Sequence, residues 1–203
     1  MGKNMLGLGK KKVYDLAKME KQLKRKLSAN RFQHTIGVTY TAAALAMRYE
    51  TELNKTMCAG LLHDCAKYMS GDELIKNCER YNIEITEAEK RNPSLLHAKV
   101  GAVIAAKKYH VHDKEIFNAI LHHTTGSPDM TLLDKIIFVA DYIEPNREPL
   151  PDIDEIRKQA FMNIDRALVM ILKATLAYLR HMETEIDETT QKTHDFFVSK
   201  LQA

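Results

Sequence analysis

Apolar residues recur at a spacing close to 3.6 along nearly the whole chain, and this periodicity is the feature that most restricts its fold. Such a spacing puts apolar side chains on one face of a helix, which must then pack against other helices. Alternating apolar and polar runs rich in β-branched residues, which would indicate strands, are not convincing anywhere in the sequence. The sequence therefore predicts an all-α helical bundle.

Turn-forming residues divide the helical pattern into segments. Clear breaks fall at Asn92-Pro93-Ser94 and in the proline-rich connection from Pro145 to Asp152. One helix is expected from about Asn54 or Lys55 to Tyr68. A longer helix is expected from Asp152, which forms a capping box with Glu155, to about Met182.

Length and composition favour one domain. The chain has 203 residues, of which 45% are hydrophobic and 28% charged, enough for one buried core and short for two. Residues 1–12, rich in Gly and Lys, are expected to be a flexible basic leader. Residues 13–203 are then expected to form a single domain.

The positive charge is concentrated near the start of the sequence. Residues 1–27 hold nine Lys or Arg against Asp15 and Glu20, so a net charge of +3 leaves about −4 on the rest. A basic segment could contact nucleic acid or anionic lipid, but its apolar residues recur at helical spacing, which favours a solvated amphipathic helix. No apolar run approaches the roughly 20 residues of a membrane span. Three cysteines without a CxxC spacing fit a reducing compartment, so we expect a cytoplasmic protein that binds neither membranes nor nucleic acid.

The segment from Leu61 to Lys67 interrupts an apolar stretch with an imidazole, a carboxylate and an ammonium group. Charge is costly in a core unless it is paired or holds a metal ion. His63 and Asp64 supply donors that suit zinc, iron or manganese. On a helix, Lys67 would lie one turn from both.

Further polar residues occur in apolar helical segments where they need an explanation. They are His34, His97, His122, His123 and Asp141. A single such histidine is usually a hydrogen-bonded core residue, but several helices that each direct one donor inward can build a metal site. The sequence predicts two ligand sets: His34, His63, Asp64 and Asp141 for one divalent ion, and His97 with His122 or His123 for a second. Two ions can activate hydroxide and polarise a phosphoryl oxygen, which is an arrangement typical of a hydrolase.

Three cations accompany these donors. Arg31 precedes His34 by one turn, Lys67 follows Asp64, and Arg147 follows the Pro145 break. Each alone could be a solvated surface charge. Together they indicate a bound polyanion, because Arg contacts phosphate in a bidentate manner and Lys acts as a point charge. The acidic remainder of the chain favours a small phosphate ester over a nucleic-acid backbone.

The order of these residues resembles the HD-domain superfamily of metal-dependent phosphohydrolases. Over about residues 20–195 the chain is similar, more narrowly, to the bacterial YqeK family. Four stretches carry this similarity: Arg31 to Thr35, Leu61 to Lys67, His122 to Gly126 and Ala140 to Arg147. One departure is Ser127, which stands where family members often have Arg.

The resemblance implies a symmetrical bis(5′-nucleosyl)-tetraphosphatase, which cuts diadenosine tetraphosphate into two ADP, usually with iron. It also implies the metal ligands: His34, His63, Asp64 and Asp141, with His97 and His122 completing the site around a second ion or a bound phosphate. We expect Asp64 and Lys67 at the reacting phosphate, where Asp64 orients or deprotonates a metal-activated water. The expected substrate contacts are Arg31, Lys67, His97, His122, His123 and Arg147.

Other interpretations fit part of the pattern. A related phosphohydrolase could act on a nucleoside mono- or triphosphate, and an oxygenase could use the same ligands. A helical protein that only binds metal or nucleotide would not need six candidate ligands and three cations. Iron is the expected metal, with manganese or zinc as alternatives, in one or two ions. A terminal amphipathic helix could form a homodimer contact.

Overall fold

The computed structural model describes residues 13–147 and 150–202, so the expected leader at residues 1–12 lies outside the described residues. Over these ranges the chain forms eleven α-helices and one short 3₁₀-helix, Pro93–Leu95, and no strand. The helices are α1 (Leu16–Lys24), α2 (Ala29–Arg48), α3 (Leu53–Leu62), α4 (Gly71–Tyr81), α5 (Glu87–Arg91), α6 (Leu96–Lys108), α7 (Lys114–His122), α8 (Leu132–Ile143), α9 (Ile153–Met162), α10 (Ile164–His181) and α11 (Glu188–Gln202). The all-α prediction is confirmed.

Helix α2 is the element around which the polar cluster assembles, because it packs against α1, α3, α8 and α9. Its N-terminus is capped by the side chain of Ser28, which accepts a hydrogen bond from the N–H of Arg31. Helix α3 approaches α2 closely at Gly60, where an added Cβ would lie only 3.1 Å from Cα of Thr39. A residue without a side chain is therefore needed at this crossing.

A second group of helices supports the other side of the cluster. Helix α7 packs against α3, α6 and α8. Fully buried aliphatic side chains fill the space between them, among them Ile116, Ile120, Ile136 and Val139. Each such side chain stabilises the fold by about 1.5–3 kcal/mol relative to an exposed one. This packing fixes the ends of α3, α6, α7 and α8 relative to α2.

The predicted helix through Tyr68 is wrong at its C-terminal end, because α3 stops at Leu62. The N–H of Cys65 bonds the carbonyl of Leu62, so the chain continues in tighter turns. Nδ1 of His63 forms a hydrogen bond of 2.7 Å with the carbonyl of Gly60. This bond competes with the backbone hydrogen bond that the same carbonyl would accept in a longer helix. His63 and Asp64 thus lie just after a helix end rather than within a helix.

The predicted long helix from Asp152 to Met182 is interrupted at Asn163, which separates α9 from α10. The Asn163 side chain accepts a hydrogen bond from the N–H of Arg166 and so begins a new helix. Asp152 has a left-handed backbone with φ of 58° and makes no capping bond with its side chain, so the predicted capping box is wrong. Capping boxes occur instead at Ser70 and Glu73, Thr86 and Glu89, and Thr131 and Asp134.

Cys58, Cys65 and Cys78 are buried, and no disulfide joins any two of them. Among the helices of residues 13–147 and 150–202, none combines the length and the apolar character that crossing a bilayer requires.

Candidate metal and phosphate site

Six donor side chains meet where five helices begin or end. They are His34 near the start of α2, His63 and Asp64 after α3, His97 in the first turn of α6, His123 at the end of α7, and Asp141 in the last turn of α8. All except Asp141 are at least nine-tenths buried. So many polar side chains are held in one buried place only if they are paired with each other or with a bound cation.

The carboxylate of Asp64 lies at the centre of this cluster. Its Oδ2 is 2.8 Å from Nη1 of Arg31 and 3.5 Å from Nε2 of His63. Its Oδ1 is 3.3 Å from Nε2 of His97 and 3.7 Å from Nε2 of His123. The guanidinium of Arg31 thus compensates the charge of this buried carboxylate. Asp64 is therefore an anion with one oxygen directed to each half of the cluster.

The first half contains His34, His63 and Asp141, whose donor atoms lie within 4.8 Å of one another. Nε2 of His34 is 2.9 Å from Oδ1 of Asp141, and Nε2 of His63 is 3.8 Å from the same oxygen. Both Nε2 atoms are buried and have no hydrogen-bond partner among the described residues. A nitrogen lone pair this close to a carboxylate oxygen is repelled unless a proton or a cation lies between them. The donor set therefore fits a divalent metal ion.

The second half contains His63, Asp64 and His123, whose donor atoms also lie within 4.8 Å of one another. Nε2 of His97 joins this group at 3.1 Å from Nε2 of His123. Burial lowers the pKa of His97, which keeps its imidazole neutral and able to bind a metal. Oγ1 of Thr124 lies 3.2–3.3 Å from these two nitrogens and completes the polar surface.

The four imidazoles present the same nitrogen, Nε2, to the cluster. Each Nδ1 lies within hydrogen-bond distance of an oxygen that cannot donate, which favours the tautomer with the hydrogen on Nδ1 and the lone pair of Nε2 toward the cluster. The acceptors are the carbonyls of Gly60 for His63, Ser94 for His97 and Ile120 for His123, and the carboxylate of Glu144 for His34. This tautomer is the one that binds metal through Nε2.

His122, which the sequence placed among the metal and phosphate contacts, does not lie in the cluster. Its Nδ1 is 3.3 Å from Oδ2 of the buried Asp134, on a separate small cavity that Lys99 and Thr125 also line. Adjacent residues at a helix end point in different directions, by about 100°. Of the two adjacent histidines, His123 and not His122 faces Asp64.

The three predicted cations surround the cluster. Arg31 pairs with Asp64, and Nη2 of Arg147 lies 3.0 Å from Oδ1 of Asp141. Nζ of Lys67 is 3.3 Å from Nδ1 of His97. Burial lowers the pKa of Lys67, and the negative charge of Asp64 opposes that effect. Positive groups therefore border the donors on several sides.

A cavity of about 470 Å³ opens beside the His34 half of the cluster. Its lining is polar apart from Leu150: Ser28, Asn30, Arg31, His34, Glu144, Asn146 and Arg147 complete it. The volume suits a small-molecule ligand, and two guanidinium groups favour one that carries phosphate. Sequence reasoning gave no role to Glu144, although its carboxylate stands three residues after Asp141, directly before Pro145.

Helix ends that hold imidazoles and carboxylates beside arginines define a helical domain suited to metal-dependent hydrolysis of phosphate compounds. The model of the HD domain family matches residues 31–146, which include all six donors. Such domains depend on divalent metal, and the donor groups described above could hold it.

Known proteins place the chain more narrowly. A Bacillus subtilis protein named symmetrical bis(5′-nucleosyl)-tetraphosphatase is 38% identical over 177 residues, which are 87% of this chain and 94% of that protein. A Staphylococcus aureus protein of the same name is 34% identical over 81% of this chain and 85% of its own. A crystal structure from Clostridium acetobutylicum, described as a predicted HD superfamily hydrolase involved in NAD metabolism, superimposes with a TM-score of 0.89 at 35% identity, covering 93% of this chain and all of that one. The chain belongs to the HD-domain family and, within it, to the YqeK family, the group of these tetraphosphatases.

Proposed function

We propose that this protein hydrolyses diadenosine tetraphosphate symmetrically to two ADP. The observation that carries the proposal is the position of Asp64, whose oxygens face two sets of imidazole nitrogens while Arg31 borders one of them. Relatives that are 34–38% identical to this chain carry the name of that activity. A donor cluster beside a phosphate-binding cation is what hydrolysis of a phosphoanhydride requires.

The proposed principal ligands are His34, His63, Asp64 and Asp141. His97 and His123 would complete the site around a second ion or a bound phosphate. When bound, the metal lowers the pKa of a water molecule and polarises the phosphoryl oxygen. We propose iron as the metal in the cell, although imidazole and carboxylate donors also accept manganese and zinc.

Asp64 has the task of orienting the attacking water. Its carboxylate is paired with Arg31 through Oδ2, and its Oδ1 can accept a hydrogen bond from a water molecule. It therefore acts mainly by fixing the direction of attack. Orientation of this kind contributes to the rate because the reacting atoms are held in line before the reaction.

The cations have the task of holding the polyphosphate chain. Arg31 and Arg147 line the cavity and can each exchange a carboxylate for a phosphate oxygen. Lys67, in the second half, supplies a point charge near the reacting phosphate. Symmetrical cleavage requires attack at the second phosphate from either nucleoside, so these groups must set the distance from a bound ADP moiety. They also stabilise the charge that develops on the leaving ADP.

Product analysis tests the proposal. Protein loaded anaerobically with iron is incubated with diadenosine tetraphosphate, and separately with ATP, dATP and AMP, and products are separated by ion exchange. We expect ADP alone from the dinucleotide, no turnover by Asp64→Ala with retained helical circular dichroism, and full turnover by the exposed control Asp154→Ala. Release of phosphate or triphosphate from another nucleotide, without cleavage of the dinucleotide, would contradict the proposed substrate.

The cellular location and the oligomeric state are two further proposals. We propose a cytoplasmic location, which the absence of disulfides among the three buried cysteines supports. We also propose a homodimer, which light scattering coupled to gel filtration tests.

A further inference from the structure

Glu144 is a buried carboxylate whose side chain is only 1% exposed and which directly follows α8. Its Oε1 accepts the Nδ1 hydrogen of His34 over 3.0 Å. Its Oε2 accepts two hydrogen bonds from Asn146, one from the backbone N–H at 2.8 Å and one from Nδ2 at 3.0 Å. A buried anion with three donors is well satisfied, so both oxygens of the carboxylate are fixed in direction.

The space for this carboxylate depends on Gly37. A Cβ added at Gly37 would lie 2.1 Å from Oε2 of Glu144, much closer than any real contact allows. Gly37 stands one helical turn after His34, so the carboxylate lies directly against the α2 backbone. Glycine lowers helix stability by about 0.5–1 kcal/mol relative to alanine. Its presence here therefore needs a reason, and the carboxylate of Glu144 supplies one.

The helix end itself does not require the Glu144 side chain. The backbone N–H of Glu144 bonds the carbonyl of Ala140 and ends α8. Arg157 holds the last carbonyls there, because its Nε donates to the carbonyl of Ile143 and its Nη2 to the carbonyl of Glu144. Termination of α8 is thus achieved by main-chain groups and Arg157, and it does not need the bond between Oε1 of Glu144 and His34.

We propose that Glu144 is a positioning residue for the metal centre. Through the Nδ1 hydrogen of His34 it fixes the tautomer and the plane of that ring and raises the basicity of Nε2, the proposed metal donor. Asn146 and Gly37 hold the carboxylate in the orientation that does this. The inference rests on the metal centre of the proposed function but not on the choice of substrate.

Two variants disturb the contact in different ways. Glu144→Gln keeps the size of the side chain, but its amide has an oxygen at one end only, so it cannot accept from both His34 and Asn146. Gly37→Ala leaves the chemical identity of Glu144 unchanged but forces its carboxylate to move. Gly101→Ala is the matched control, because a Cβ there meets Cγ2 of Ile120 at an ordinary 3.5 Å.

The first readout is the affinity of metal-free protein for Mn²⁺, measured from the electron paramagnetic resonance signal of the free ion. We expect binding about 10–100-fold weaker in Glu144→Gln and Gly37→Ala, and unchanged in Gly101→Ala. Circular dichroism checks that each variant is folded. If Gly37→Ala does not fold, Glu144→Gln alone decides the result.

The second readout is the Nδ1 hydrogen of His34, observed by ¹⁵N-resolved NMR of the metal-free protein. If Glu144 did not accept this hydrogen, the resonance would stay in place in Glu144→Gln, whereas we expect it to shift or to exchange faster with water. Parent-level Mn²⁺ affinity in both folded variants, or in Glu144→Gln alone if Gly37→Ala does not fold, would overturn the inference. If the parent protein binds Mn²⁺ but releases no ADP from the dinucleotide, the proposed substrate fails and the Mn²⁺ comparison still tests Glu144.

Discussion

Nη1 of Arg31 lies 2.8 Å from Oδ2 of Asp64, so a group suited to phosphate is paired with a group suited to metal. The ion pair joins the first turn of α2 to the residues after α3. Arg31 can either neutralise Asp64 or contact an incoming phosphate. A metal ion bound to the Asp64 carboxylate would neutralise it instead and so free Arg31 to contact the phosphate. Substrate binding and metal binding are therefore expected to support each other at this pair.

Replacing Arg31 separates these two roles. We expect Arg31→Ala to lower kcat/KM for diadenosine tetraphosphate by about 100-fold, because one charge-stabilising donor is lost at the phosphate. The affinity for Mn²⁺ should stay equal or rise, since Oδ2 of Asp64 loses a competing cation. Steady-state kinetics and a metal titration measure both effects. Arg25→Ala, at an exposed arginine at the end of α1, should change neither, and an equal fall in metal affinity in Arg31→Ala would contradict the assignment.

The adjacent histidines His122 and His123 are expected to behave differently. His123→Ala should weaken Mn²⁺ binding by about 10–100-fold and lower turnover, since its Nε2 belongs to the cluster. His122→Ala should keep metal binding but reduce the free energy of unfolding by about 1–3 kcal/mol, because the buried Asp134 loses a partner. Metal titration and urea unfolding distinguish the two. Loss of metal in both variants would mean that the cluster extends to His122.

Metal should stabilise the folded protein. The donors come from five helices, so the unfolded chain has no preformed site, and metal at a hundredfold excess over its Kd adds about 2.7 kcal/mol. For a chain of this size that corresponds to a rise in Tm of about 5–10 °C. Differential scanning fluorimetry of chelator-treated protein with and without Mn²⁺ measures it. The rise should be absent in His63→Gln, and a parent Tm that is insensitive to metal would contradict the site.

Acid should weaken the attachment of the C-terminal helices through Asp165. Burial raises the pKa of this residue, but its bonds to Lys135 at 2.6 Å and Lys200 at 2.9 Å outweigh burial and lower it. A depressed folded pKa contributes stability above the ordinary value of about 4, and this is lost as the pH falls through that value toward the folded pKa.

We therefore expect Asp165→Asn to be less stable than the parent by about 1–2 kcal/mol at pH 7. The difference should shrink as the pH is lowered from 5 to 3. Urea midpoints across this range measure it. A difference that stays constant with pH would show that packing rather than charge holds α8, α10 and α11 together.

The sequence was sufficient for the class of fold and for most of the donors. Helical periodicity and breaker residues depend on local chemistry, and an imidazole or carboxylate in an apolar segment is visible without a structure. It failed where a side chain competes with the backbone. The ring of His63 forms a hydrogen bond with the carbonyl of Gly60, which a longer α3 would use for its own backbone bonding. Asn163 begins a new helix within an uninterrupted apolar pattern.

Sequence could not decide matters that depend on three-dimensional direction. His122 and His123 are adjacent and chemically identical, and only the end of α7 determines which one meets Asp64. Glu144 was not assigned because its partner, His34, is 110 positions away in the sequence. Long-range contacts of this kind follow from packing and not from spacing.

The sources of the four hydrogen-bond acceptors also bear on how the centre is assembled during synthesis. His63, His97 and His123 each find their acceptor three positions earlier, so these rings can be oriented as soon as their own segment has folded. His34 must wait for Glu144, which leaves the ribosome 110 residues later. A nascent chain that ends after α7 would already hold three oriented rings. Docking of α8 is then the step that brings Asp141 and Glu144 to the other donors and closes the centre.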